Sequence, residues 1–210
     1  MGQQLNLIDS LQRLGISYHF ESEIDEALEQ IHNNFTSIKE GDLHFLALAF
    51  RLLRQKGYRI SSEIFEKFKS NKKNFNEKLS KDVQGMLSLY EAAQLRIHGE
   101  VILDEALDFT YTHLNSLIIT NDQLISPFLG TQIRRCLKTP LHKGLPRLET
   151  RCYISSLSEE PSHNKVLLNF AKLDFNMMQK MYQKELGSIT KWWKKSDFGT
   201  KVPYARDRIV

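Results

Sequence analysis

Near the end of this 210-residue sequence stands Arg206-Asp207-Arg208. Two guanidiniums bracketing a carboxylate are steadied by it and still present N–H forks outward. Such a fork matches two phosphate oxygens better than an ammonium group does. By itself the triplet reads equally well as a surface ion pair of little worth. Other candidate chemistry is sparse. His19, His32, His44, His98, His113, His142 and His163 are scattered, without a His-Glu-x-x-His face, and read as structural or surface histidines. No adjacent Asp pair offers bridging carboxylates to Mg²⁺. Asp104-Glu105, with Asp108 one turn on, reads as a solvated helix face. Glycine-rich phosphate loops and nucleophile elbows are absent from the sequence. Met177-Met178 reads as core packing rather than a pliable binding face. Trp192-Trp193 beside Lys194-Lys195 could stack on a base or meet a lipid interface, but reads better as the anchor of a helix end.

Elements must position these groups, and the pattern is helical. Apolar residues recur at three and four: Leu7, Leu11 and Leu14 before Gly15; then Ile24, Leu28, Ile31 and Phe35 behind Ser22 as an N-cap. Leu43–Gln55 is too apolar for a surface helix, and Gly57 is its natural stop. Ser61 or Ser62 opens a short helix with Ile64, Phe65 and Phe68. Further stripes run through Val83, Met86, Leu87 and Tyr90, through Ile102–Ile119, and through Leu124–Leu137. The longest spans His163–Lys195, with Val166, Phe170, Leu173, Met177 and Met181 on one face. No Asn-Gly hairpin signal or strict alternation appears. The fold class is all-α.

Composition narrows the setting. At 41% hydrophobic and 26% charged, the chain is neither disordered nor fibrous. No apolar run reaches the roughly 18 residues that span a bilayer, and Cys136 and Cys152 make no disulfide framework. The net charge of +4 is uneven: 13 Lys/Arg against 17 Asp/Glu up to residue 110, then 16 against 8. A basic second half suits an anionic partner, whether nucleic acid, phospholipid or a phosphorylated small molecule.

Blocks along the chain then carry a resemblance. "LIDSLQRLGISYHFESEI" (7–24), "FRLLRQKGYRISSEIFEKFK" (50–69), "DVQGMLSLYEA" (82–92) and "HGEVILDEALDFTYTHL" (98–114) resemble plant terpene synthases. So do "PLHKGLPRLETRCYI" (140–154), "NKVLLNFAKLDFNMMQ" (164–179), "KELGSITKWWKKSDF" (184–198) and "PYARDRIV" (203–210). The order of the blocks makes the signal specific. The resemblance implies an all-helical class I enzyme: an N-terminal α-barrel of antiparallel helices, related in shape to some glycosidases, over residues 1–162. Residues 163–210 would begin the metal-binding catalytic helical bundle.

The resemblance also implies the chemistry. Arg206 and Arg208 match the family's Arg-x-Arg, which receives the diphosphate leaving a prenyl substrate, and Asp207 would orient them. Mg²⁺ (or Mn²⁺) would serve the full-length enzyme. The aspartate-rich Asp-Asp-x-x-Asp motif is absent from this sequence, so no metal is expected on this chain, which reads as part of an enzyme and inactive alone. The family's early tryptophan-containing block and twin-arginine segment, and a plastid transit peptide, are not seen either. The expectation is a cytoplasmic, sesquiterpene-forming branch using farnesyl diphosphate, with no nucleic acid partner, no membrane span and a monomeric intact enzyme. Two alternatives differ in class. One is a non-catalytic helical module that associates with protein through a face left uncovered. The other, a glycosidase-like barrel, needs facing carboxylates with separated pKa values, and no pair in the sequence recommends itself.

Overall fold

The structure, a computed structural model, describes residues 2–35, 41–70, 74–120, 125–161 and 163–197. The chain divides into two compact units, Met1–Asn164 and Lys165–Val210. In the first, helix α1 (Gly2–Arg13) buries Leu5, Ile8 and Leu11. It stops at Gly15, whose φ of +71° favours glycine. There the Ile16 N–H reaches back to Leu11 O and the Gly15 N–H to Gln12 O, satisfying two terminal carbonyls. Helix α2 (Glu21–Asn33) buries Ile24, Leu28 and Ile31. Helix α3 (Leu43–Lys56) is capped by Asp42, which accepts from the Phe45 N–H at 2.9 Å, and ends at Gly57 with φ +100°. Nine of its residues are buried, so it lies inside the unit rather than on its surface.

A 3₁₀ stretch, Ser62–Phe68, leads into two short antiparallel strands, β1 (Lys69–Ser70) and β2 (Asn74–Phe75), in register Lys69 with Phe75. Helix α4 (Val83–Ala93), capped by Asp82 on the Gly85 N–H, is buried nearly all round. Helices α5 (Val101–Ile119), α6 (Pro127–Lys138) and α7 (Pro146–Ser158) complete the unit. Helix α3 packs most extensively on α4, and α4 on α5. Further pairings of α5 with α6, α6 with α7, α7 with α1 and α1 with α3 close a ring of helices. Met86, Leu87, Tyr90, Leu114, Ile133 and Cys136 make one cluster inside that ring. Phe50 and Phe65, both fully buried, meet edge to face at 5.1 Å. The second unit is described as a single helix, α8 (Lys165–Ser196), of 32 residues.

The all-α class is observed, and the local readings differ in four places. Leu7 is 51% exposed while Leu11 and Leu14 are buried; the buried stripe of α1 runs through Leu5, Ile8 and Leu11. Helix α2 starts at Glu21 after Phe20, so Ser22 lies within the first turn rather than at the cap. Strands β1 and β2 pair where the sequence shows no strand signal, being too short to leave a period-two pattern. On α8 the buried positions are Leu168, Ala171 and Asp174, while Val166 (80%), Leu173 (71%) and Met177 (57%) are exposed. That helix carries two apolar stripes, and periodicity alone does not say which is covered. The start of the Leu124–Leu137 stripe lies partly outside the described residues; its helix is described from Pro127, capped by Ser126.

Candidate functional site

Arg206, Asp207 and Arg208 lie outside the described residues, so their geometry is not on view. What the first unit shows instead is a buried ionic core that ties its helices. Asp9 on α1 accepts from Arg13 Nε at 2.9 Å and from Arg51 Nη2 of α3. Arg13 also lies 3.6 Å from Glu149 Oε1 of α7, whose Oε2 accepts from Arg135 Nη2 of α6 at 2.5 Å. Burial works against Asp9's charge, but the attraction and hydrogen bonds of Arg13 and Arg51 outweigh it and hold its carboxyl below the usual range. Glu91, 1% exposed on α4, accepts from the Leu141 N–H at 3.1 Å. Burial pushes its carboxyl up despite Arg13, and burial likewise raises the neighbouring Cys136 thiol, which makes it unreactive.

The half-buried Asp9 and the buried Glu91 are thus two carboxylates shifted in opposite directions, a pattern that the sequence did not announce. They do not form a hydrolytic pair. Asp9 is occupied by two guanidiniums and Glu91 by a backbone N–H and a thiol. A second rivet sits at the far end of α3. All five N–H donors of Arg54 are used: by Ile60 O twice, Leu95 O once, and the two oxygens of Glu100. Its guanidinium also rests 4.2 Å from the Phe50 ring centroid.

Four of the histidines occupy structural positions. His32 stacks on Tyr58 at 4.5 Å, and His113 joins Phe109 O at 2.8 Å and Glu77 at 3.1 Å. His163 Nδ1 meets Glu160 O. His44 pins three helices: its Nδ1 lies 2.8 Å from Ser88 Oγ and its Nε2 3.0 Å from Asn6 Oδ1. Among the described residues no three His, Cys, Asp or Glu side chains gather to hold a metal ion. Asp104 pairs with Arg96 at 2.6 Å and Glu105 with Lys69 at 2.7 Å, so that acidic group fastens helix α5. Trp192 is 61% exposed, with its ring 6.5 Å from that of Trp193.

His44 carries a pH prediction. Burial lowers its folded-state pKa below the ordinary 6.5. The unfolded chain therefore takes up the proton first as pH falls. The stability His44 gives is present above pH about 6.5 and is lost as pH drops below it toward the folded pKa. Melting temperatures measured between pH 7.5 and 5.5 should fall less in His44→Gln, whose amide does not titrate, than in the parent chain. Equal falls would remove His44 as a source of that dependence.

Comparison with known proteins decides the family. The family described as terpene synthase, N-terminal domain, matches residues 1–137. The chain belongs to the terpene synthase family. This terpene synthase chain is 54% identical over 209 residues to sesquiterpene synthase 2 of Toona sinensis, covering 99% of this chain and 37% of the relative. It is 56% identical over 209 residues to probable terpene synthase 2 of Ricinus communis, with the same two coverages. It superposes with a TM-score of 0.89 and 42% identity on isoprene synthase from grey poplar leaves, solved with three Mg²⁺ ions and dimethylallyl-S-thiolodiphosphate. There it covers 97% of this chain and 39% of that one. The terpene synthase chain therefore spans somewhat more than a third of the length of these relatives. No described helix is long and apolar enough to cross a membrane.

Proposed function

We propose that this chain is the N-terminal part of a sesquiterpene synthase that ionises farnesyl diphosphate and rearranges the resulting carbocation. The observation that carries the reading is the identity with a sesquiterpene synthase over 99% of the chain. Residues 1–162 are assigned to the N-terminal domain and 163–210 to the start of the catalytic domain. The division of the chain at Asn164/Lys165 supports that assignment. The enzyme is taken as cytoplasmic and monomeric.

In this reading Arg206 and Arg208 hold the diphosphate as the carbon–oxygen bond breaks and its electron pair leaves on oxygen. Asp207 keeps the two guanidiniums in place. Donors aimed at charge that develops during reaction act most strongly where water is excluded. Mg²⁺ would neutralise the diphosphate in the full-length enzyme. The described residues offer it no carboxylate cluster, so none of them is assigned to it and no step is derived through it.

A test follows for residues 1–210 alone. Incubated with farnesyl or geranyl diphosphate and Mg²⁺, the purified chain should release neither hydrocarbon nor pyrophosphate. The metal-holding carboxylates on which ionisation depends are not in its sequence, which lacks Asp-Asp-x-x-Asp. Metal-dependent turnover by this chain would overturn both the domain assignment and the mechanism. The reading as a non-catalytic module has no specific observation in its favour.

A further inference from the structure

Beside the C-terminal end of α3 the surface opens into a groove of about 910 Å³, lined by residues 57–61, residues 94–97, Arg54, Glu100 and His142. That volume is within the range that holds small ligands. A smaller recess of about 470 Å³ shares Gln94, Arg96, Ile97 and His142 with it and adds Lys143. The frame is fixed in advance. Arg54 spends every donor on Ile60, Leu95 and Glu100, tying three wall segments together, and Arg96 is held by Asp104. Preorganised walls of this kind reduce what a ligand must order on binding.

Charge and polarity identify what fits. The Arg54–Glu100 and Arg96–Asp104 pairs cancel, and Arg59 and Lys143 remain as exposed lining cations with no ion pair among the described residues. The lining is therefore net positive. Gln94, 8% exposed, lies in the wall that the groove and the recess share. Against the two cations stands an apolar wall of Tyr58, Ile60, Leu95 and Ile97. We propose that this groove and the recess beside it bind a small phosphate monoester with an apolar body: the phosphate between Arg59 of the groove and Lys143 of the recess, the body along the apolar wall. The site lies in residues 54–143 and is independent of the role assigned to Arg206 and Arg208.

Equilibrium dialysis of the 210-residue chain tests it, with phenyl phosphate as probe and inorganic phosphate as comparator. Saturable one-site binding of phenyl phosphate is expected, and weaker binding of inorganic phosphate, which cannot use the apolar wall. The double variant Arg59→Glu/Lys143→Glu should bind phenyl phosphate about tenfold less tightly or worse, a loss of about 1.4 kcal/mol. Both positions are exposed, so the variant should keep the helical circular dichroism and melting temperature of the parent. Lys184→Glu, an exposed change on α8 away from the groove, should bind as the parent does. Absence of saturable binding, an unchanged affinity in the double variant, or an equal loss in Lys184→Glu would each overturn the site. Inorganic phosphate binding as tightly as phenyl phosphate would overturn the assignment of an apolar body.

Discussion

Replacing Arg54 by Ala should destabilise the first unit by about 3–5 kcal/mol, the range seen when one partner of a buried pair is removed. The side chains of Arg54 and Glu100 are each 13% exposed. Without the guanidinium, Glu100 keeps a largely buried charge with the Ile97 N–H at 2.9 Å and the Ser62 hydroxyl as its donors. The Ile60 carbonyl loses both of its Arg54 donors and the Leu95 carbonyl its one. At about 2–4 °C per kcal/mol for a chain of this size, the melting temperature should fall by roughly 10 °C. Arg54→Lys should rescue little, since one ammonium cannot serve the planar fan of five contacts. A pH effect accompanies the pair. The Arg54 hydrogen bonds, against the cost of burial, hold the Glu100 carboxyl below its ordinary 4.5. Its contribution is therefore present above pH about 4.5 and lost as pH falls through the lower folded value. A loss under about 1 kcal/mol in Arg54→Ala would reduce the cluster to an ordinary surface pair.

Changing Arg206 or Arg208 to Ala in the full-length enzyme should lower turnover by roughly 10²-fold, the cost of removing one preorganised donor from developing charge. In the proposed reading the guanidiniums matter most once the carbon–oxygen bond has broken, so kcat should fall more than apparent substrate binding weakens. Early-quenched or acyclic products should appear, because a diphosphate that is not held recombines with the cation or lets water in. Arg→Lys should restore part of the rate, since a point charge does not reproduce the fork on two oxygens. If the arginines only braced the chain, the variants would melt lower and keep their product profile. Melting temperature and product distribution measured on the same samples separate these cases.

Helices were legible where one stripe dominates, as in α2 with Ile24, Leu28 and Ile31, or where a cap is chemically plain, as at Gly15 and Gly57. Helix α8 was legible as a helix but not in its covered face. Two stripes of similar apolarity leave that choice to tertiary packing, which placed Leu168 and Ala171 inside and Leu173 outside. The ionic core was barely legible. Asp9, Arg13, Arg51, Glu91 and Glu149 are ordinary charges in sequence, and only long-range packing brings Arg51 onto Asp9 or Leu141 onto Glu91. A weak signal existed: Arg51 and Glu91 interrupt the most apolar helices, α3 and α4, where a charge must find a partner. Arg206-Asp207-Arg208 lies outside the described residues, and its reading rests on its residue types together with the family resemblance.

The protein encoded by the whole gene, incubated with Mg²⁺ and either farnesyl or geranyl diphosphate, should release pyrophosphate with both or with farnesyl diphosphate alone. Gas chromatography with mass spectrometry of the extracts then decides the assignment. A C15 terpene formed from farnesyl diphosphate, faster than any product from geranyl diphosphate and abolished by chelation of the metal, is the expected result. No metal-dependent terpene from either substrate, or a clear preference for geranyl diphosphate, would contradict it.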